Sequence, residues 1–454
     1  MAGKDSGFRA IRKQNKSIKL SPTQIIALTF AAIILLGALL LMLPISSTGA
    51  PASFLDALFT ATSATCVTGL VVGDTGTIWT GFGQAVIITL IEIGGLGFMS
   101  AAATMLFLFR KKVGLRQRMV IAQALSLDDM ESVVRVQKLV IGGSLTVQGL
   151  GALVLILRFW PEFGFLTALK WGLFHSVSAF CNAGFDIFGY NDSVMHFNSD
   201  PVVMITLMLL IVVGGLGFLV WEELGKPKKP LSVYAKLVLL TTGILILAGA
   251  GLTLLLEWNN PGTLGNMSWG DKILNSFFQS ITLRTAGFAG IDQAQLTDGS
   301  KAISAVLMLI GGSSGSTAGG LKTVTFMVLL LFIGARIQGR ETVNVFRRRI
   351  PQNKVLDAMT IVAIVVGLCM AGAILITVTS PVSFIDSFYE SASALGTAGL
   401  TAGATPLLSL PAKLMIIVFM YFGRVGVLTL SMGFLLGDKA QQRFQYAETN
   451  LLIG

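Results

Sequence analysis

The sequence predicts an all-α polytopic membrane protein: eight transmembrane helices in four tandem helix–pore-loop–helix units, with pseudo-fourfold symmetry around one central pore. Three observations predict it. The 454 residues are 53% hydrophobic and only 12% charged, about half the charge of a soluble chain. Lysine and arginine gather in five clusters separated by apolar stretches. One short segment recurs four times at nearly constant spacing, a periodicity that sets an architecture before other features do.

The first apolar run extends from about Ile25 to Leu43. It is long enough to cross a bilayer, which takes roughly 20 residues. It lacks the short core and small-residue cleavage site of a signal peptide, so it reads as a retained span. Cys66, Cys181 and Cys369 are too few for a disulfide framework and read as small buried residues. His175 and His196 stand far apart without metal-ligand spacing, and His175 reads as a packed side chain. No acid–base, nucleophile or transition-metal constellation is visible, which argues against an enzyme.

The basic clusters run from Lys4 to Lys19, Arg110 to Lys138, Lys226 to Lys236, Arg336 to Lys354, and Lys439 to Arg443, and hold 25 of the 33 basic residues. Cytoplasmic loops are enriched in such residues. All five then lie inside, both termini are cytoplasmic, and each of the four intervals holds two spans of a plasma-membrane protein. This divides the chain into tails at 1–20 and 438–454 and units at 21–115, 116–225, 226–338 and 339–437. The intervening outer segments carry acids: Asp56, Asp74, Glu162, Asp186, Asp192, Asp200, Glu257, Asp271, Asp292, Asp298, Asp386 and Glu390. An acidic mouth concentrates cations.

The repeated segments are DALFTATSATCVTGL, WGLFHSVSAFCNAGF, LNSFFQSITLRTAGF and DSFYESASALGTAGL. They end on Gly69, Gly184, Gly287 and Gly399, spaced by 115, 103 and 112 residues, with Phe59, Phe174, Phe277 and Tyr389 ten positions before them. A second set, Gly94, Gly214, Gly311 and Gly423, lies in the apolar run that follows each. First helices are expected to start near Ile25, Arg135, Val233 and Val355, and second helices near Gly83, Pro201, Ala302 and Ala412. The residues before each key glycine look helical yet too short to span. Entering from outside, they aim their partially negative C-terminal ends at mid-membrane, where a cation is favoured. The glycine then allows a positive φ. Non-helical backbone at that depth must line a cavity or be buried in protein, and rings of backbone carbonyls replace an ion's hydration shell in potassium filters.

The stretch LIGGSSGSTAGGLKTV, residues 309–324, has the wrong register for a phosphate-binding Walker A loop, because Leu321 separates Gly320 from Lys322. Gly311, Gly312, Ser313, Ser314, Gly315, Ser316, Thr317, Ala318, Gly319 and Gly320 instead make a broken helix, since glycine costs about 1 kcal/mol relative to alanine in a helix. Small polar residues suit a loop hanging in a water-filled cavity. Alignment of the glycine motifs places Arg424 where the other units have Gly95, Gly215 and Gly312. An intramembrane arginine is functional by default. Its donors can hold loop carbonyls and its charge would repel a cation. The structural alternative pairs it with Glu92.

These motifs together resemble the superfamily of potassium transporters that contains the TrkH, KtrB and plant HKT proteins, and length and short loops are most similar to the KtrB branch. The resemblance covers the chain from about Ser21 to Gly454. It implies a filter in which Thr65, Cys66, Val67 and Thr68 precede Gly69; Phe180, Cys181, Asn182 and Ala183 precede Gly184; Leu283, Arg284, Thr285 and Ala286 precede Gly287; and Leu395, Gly396, Thr397 and Ala398 precede Gly399. A serine at the first filter glycine marks sodium-selective relatives, so Gly69 implies potassium. Arg284 is expected to point away from the ion, bonded to carbonyls or an acid. The resemblance makes 311–320 the intramembrane gating loop, acting with Arg424. It also implies sodium activation, a homodimer, and control by a cytosolic RCK-type nucleotide-binding ring (KtrA-like). The apolar end of RFQYAETNLLIG suits a dimer contact, and the basic inner loops could bind membrane lipid; no nucleic acid is expected. The rival reading is a coupled Na+/K+ symporter, since broken helices mark those too. Four repeats of one orientation favour an axial pore.

Overall fold

The computed structural model describes residues 22–97, 133–226 and 230–426. The two expected tails and most of the second basic cluster lie outside these residues. In the first repeat, α1 (Pro22–Leu41) is followed by the short helix α2 (Phe54–Thr65), the single turn α3 (Thr75–Ile78) and α4 (Gly81–Leu96). The second repeat has α5 (Val133–Phe163), α6 (Phe165–Phe180), α7 (Pro201–Leu216) and α8 (Phe218–Leu224). The third has α9 (Val233–Glu257), α10 (Trp269–Thr282), α11 (Asp298–Leu309) and α12 (Thr323–Ile337). After a small hairpin at residues 344–349 come α13 (Gln352–Thr379), α14 (Phe384–Gly396) and α15 (Leu410–Val425).

Among the described residues, α1, α5, α9 and α13 are each long and apolar enough to cross a membrane, and α7 with α8 makes a fifth candidate bent by 96°. The helix starts fall within four residues of those expected from sequence.

The short helices begin by local capping. Ser53, Ser268 and Ser383 accept the backbone N–H of Asp56, Asp271 and Asp386, and each hydroxyl donates to that aspartate's carboxylate. Such caps stabilise a helix by about 1 kcal/mol. Asp74 and Asp200 likewise accept N–H groups at the starts of α3 and α7. Glu257 is buried, accepting from Asn260, Thr263 and Thr297. Many acids read as a cation-gathering mouth are thus tied into helix ends.

A break was expected in the second helix of the third repeat alone. Among the described residues the second repeat has one too, between α7 and α8, and the described second helices of the first and fourth repeats end on a glycine of the same kind. Helix α4 stops at Gly97 (φ +82°), α7 at Gly217 (φ +91°) and α15 at Gly426 (φ +95°). Each lies three residues beyond a packing glycine, in GGLG, GGLG and GRVG. A positive φ is one glycine reaches readily and other residues do not. In the third repeat residues 310–322 form a loop between α11 and α12, closed by a bridge between Ile310 and Leu321.

Packing links the repeats in a closed circuit. Each long helix packs on its own short helix: α1 on α2, α5 on α6, α9 on α10, α13 on α14. Each second helix also packs on the next repeat's short helix: α4 on α6, α7 on α10, α11 on α14, and α15 back on α2. The chain's fourth quarter therefore closes against its first.

Candidate functional site

The four recurring segments meet where the short helices end. Gly69, Gly184, Gly287 and Gly399 all have positive φ, at +100°, +69°, +84° and +81°. Two residues before each stands another left-handed residue: Val67 (φ 57°), Asn182 (φ 60°), Thr285 (φ 66°) and Thr397 (φ 51°). Non-glycine residues in this region cost about 1–3 kcal/mol each and persist where the surroundings hold them.

What holds three of them is a helix C-cap. Val67 N–H donates to Ala64 O and Thr68 N–H to Ser63 O; the pattern recurs with Asn182, Ala179, Ala183 and Ser178, and with Thr397, Ala394, Ala398 and Ser393. This is the paired bonding of a Schellman motif. The third segment departs from it, Ala286 N–H reaching Thr282 O.

The four glycines then close a ring. A Cβ on Gly69 would lie 2.6 Å from Ala183 O, one on Gly184 2.7 Å from Ala286 O, and one on Gly287 2.9 Å from Ala398 O; one on Gly399 would collide with Thr68 O. Each repeat's penultimate carbonyl thus abuts its neighbour's glycine, in cyclic order. Of the other residues expected in the filter, Thr65 and Phe180 end α2 and α6, Leu395 and Gly396 end α14, and Cys66, Cys181 and Leu283 are helix C-caps. The carbonyls of Thr65, Phe180 and Leu395 lie against Gly94, Gly214 and Gly423. That contact explains three of the second glycine set, where a side chain would strike the end of the short helix; at Gly311 it would instead collide with the loop carbonyl of Gly319.

Arg284 is 8% exposed, and its Nη2 donates to Thr242 Oγ1 at 3.4 Å on α9. Its partner is therefore a hydroxyl; no carboxylate pairs with it among the described residues. Asn182 Nδ2 reaches Arg284 O at 3.5 Å, tying segments two and three.

Loop 311–320 lies under this ring and bonds to the second and fourth repeats as well as to its own. Ser313 N–H donates to Gly215 O, Phe218 N–H to Gly315 O, and Gly320 N–H to Gly423 O. Thr317 Oγ1 donates to Phe180 O at 3.1 Å and also pairs with Asn182 Oδ1 at 3.1 Å. Tyr234 OH donates to Ser314 O at 2.9 Å. Gly319 packs so closely on Thr397 that a Cβ would collide with its hydroxyl.

Arg424 spans the assembly. Its Nη1 donates to Thr317 O, and its Nη2 to Gly94 O and, at 2.9 Å, to Gly95 O. It makes no ion pair with Glu92, the structural alternative. Glu92 instead accepts from Gln148 Nε2 at 2.9 Å and Cys181 Sγ at 3.3 Å. The three cysteines are buried and unbridged. His175 is buried on α6, its Nδ1 donating to Trp171 O at 2.7 Å and its Nε2 accepting Ile187 N–H at 3.3 Å.

Sequence reasoning missed Lys322. Its Nζ reaches Ala318 O at 2.8 Å and Gly319 O at 3.4 Å. With Arg424 on Thr317 O, two cations hold three consecutive loop carbonyls. The signal was available: a lysine directly before α12 faces the positive end of the helix dipole, an unfavourable place without other partners. In the outer connection, the Asp186 carboxyl is pushed up to about 7 by burial and by the nearby Asp74 carboxylate.

The geometry has clear relatives. The TrkH family model, described as a cation transport protein, matches residues 7–441. The chain is 40% identical over 437 residues to the Ktr system potassium uptake protein B of Bacillus subtilis, covering 95% of this chain and 97% of that one. It is 39% identical over 452 residues to the potassium/sodium uptake protein NtpJ of Enterococcus hirae, covering 98% and 100%. The fold matches the crystal structure of the potassium transporter TrkH from Vibrio parahaemolyticus with a TM-score of 0.70 at 21% identity, over 94% of this chain and 87% of that one. With its ring of abutting glycines and carbonyls, this chain belongs to the TrkH family of cation transport proteins.

Proposed function

We propose that the chain is the translocating subunit of a potassium uptake system. Its eight membrane helices form four pseudo-symmetric units around one pore. The residues before Gly69, Gly184, Gly287 and Gly399 form the filter, with backbone carbonyls standing in for the hydration shell of K+. The observation that carries this reading is the cyclic contact of Ala183, Ala286, Ala398 and Thr68 carbonyls with the four glycines. Four short helices also bring their negative ends to that ring.

Loop 311–320, held by Arg424 and Lys322, is the gate below the filter. Its bonds to the second and fourth repeats and to α9 of its own support a closed constriction. The names of two relatives, a Ktr system potassium uptake protein and a potassium/sodium uptake protein, support potassium as cargo; sodium as activator is our further reading. A system name also supports a further component, which we take to be a cytosolic RCK-type ring acting on a homodimer. The potassium/sodium name favours a second reading, Na+/K+ symport.

Cation flux into vesicles carrying the purified chain tests this. The pore reading expects K+ uptake that follows the K+ gradient and membrane potential with sodium absent from both sides. Uptake that strictly requires a sodium gradient would establish the symporter instead. Absence of K+ flux from both wild type and a loop-shortened variant would remove the function.

A further inference from the structure

The filter's fourth strand is braced by an acid that the pore reading leaves unused. Glu390 sits on α14, nine residues before Gly399, and is 0% exposed. A buried carboxylate is costly unless paired or fully hydrogen-bonded. Among the described residues no lysine or arginine pairs with it; Lys301 is taken by Asp386, one turn earlier on α14, at 2.7 Å. Its partners are two hydroxyls on the strand leaving the ring. Thr401 Oγ1 donates to Oε2 at 2.8 Å, and Thr405 Oγ1 donates to Oε1. Thr401 Oγ1 in turn accepts Gly403 N–H at 3.1 Å. The turn at 401–405 is therefore built around one carboxylate.

The same register on the opposite side of the ring does the same job with different chemistry. Position nine before Gly184 is His175, which accepts the N–H of Ile187, three residues beyond that glycine. Position nine before Gly287 is Phe278, and there the third strand is held from the next position, Gln279, which bonds reciprocally with Gln293. Tyr389, beside Glu390, donates to Gln293 as well. Strands two, three and four are thus pinned to the short helices by polar side chains behind the outer half of the ring.

We propose that Glu390 is a positioning residue that fixes the exit of the fourth filter strand and thereby contributes to the choice of K+ over Na+. This rests on the filter reading above. The carboxylate acts by accepting two hydrogen bonds, not by its charge. A glutamine of the same shape keeps half of the brace: its amide oxygen can accept from Thr405, while Thr401 Oγ1, which already accepts the N–H groups of Gly403 and Thr405, has no lone pair left for the amide N–H. An alanine leaves both hydroxyls without their acceptor and frees the strand.

The test measures K+ and Na+ uptake separately in vesicles, with protein amount and thermal unfolding recorded for each variant. Glu390→Ala should lower the K+/Na+ uptake ratio about tenfold, the scale of a small misplacement at a preorganised site. Glu390→Gln should lower it less, by about threefold, a change worth about 0.6 kcal/mol. Should Glu390→Ala not fold, Thr405→Val removes one bond isosterically and should lower the ratio in the same direction. An unchanged ratio in Glu390→Ala or Thr405→Val overturns the brace. A loss in Glu390→Gln equal to that in Glu390→Ala also overturns it, in favour of charge. Gly399→Ser is the control: if it leaves the ratio unchanged, the filter reading itself fails, whatever Glu390 does.

Discussion

Arg424 and Thr317 belong to different repeats, 107 positions apart, yet the Arg424 guanidinium donates directly to the Thr317 carbonyl. Its other nitrogen holds Gly94 and Gly95 in the first repeat. One side chain thus ties the loop of the third repeat to the end of α4 in the first. Hydrogen bonds from a charged donor contribute about 1.5–3 kcal/mol each, enough to bias a loop strongly between two positions.

Arg424→Ala should release that bias. K+ flux through the chain alone, without any cytosolic partner, should rise on the order of tenfold, the effect of one charged bond lost. Arg424→Lys should behave nearly like alanine. A single ammonium cannot reach both the Thr317 and the Gly94 and Gly95 carbonyls as a planar fork does. Flux unchanged in both variants would remove Arg424 from the gate.

Lys322→Met keeps the stem and removes the two loop bonds. It should raise basal flux by less than Arg424→Ala, since the loop keeps its contacts with Gly215, Phe180 and Tyr234. Because both cations hold adjacent carbonyls, the double variant should depart from additivity by about 0.5 kcal/mol or more. Strict additivity in a double-mutant cycle would show two independent contacts.

Gly69→Ser and Gly214→Ala separate the two glycine sets. A Cβ at Gly69 meets Ala183 O at 2.6 Å with φ at +100°, so serine there must move the ring. The K+/Na+ uptake ratio should fall. At Gly214 a Cβ collides with Phe180 O at the end of α6. Overpacking of that kind costs about 1–3 kcal/mol, so the main effect should be a lower unfolding temperature. Equal effects of both substitutions on the ratio would contradict the division of roles.

Asp186 gives a pH test. Its carboxyl is pushed up to about 7 by burial and the Asp74 carboxylate, so it is charged above that pH and neutral below. A charged acid in the outer connection concentrates cations. The half-saturating K+ concentration should therefore rise as external pH falls through about 7. Asp186→Asn should hold the higher value at every pH; a pH response surviving in that variant would point to another group.

Much of the repeat was legible because it is written locally. Gly69, Gly184, Gly287 and Gly399 mark positions where the backbone needs a positive φ, and that need travels with the residue type. The short helices were visible as apolar stretches bounded by these glycines, and their serine–aspartate starts could have been read as caps. The break at Gly217 was missed because GGLG serves packing and turning alike.

The sequence by itself determined the membrane character, the fourfold recurrence and the register of each glycine, since composition and allowed φ are properties of single residues and short windows. The tertiary structure alone decided which carbonyl abuts which glycine, that Arg424 clasps backbone while Glu92 bonds Gln148 and Cys181, that Lys322 folds back on its loop, and that Glu390 lies buried against Thr401 and Thr405. The first two depend on segments far apart in the chain meeting at one place. For Lys322 and Glu390 the partners are near in sequence, but the burial that removes water as a competitor comes from packing across repeats.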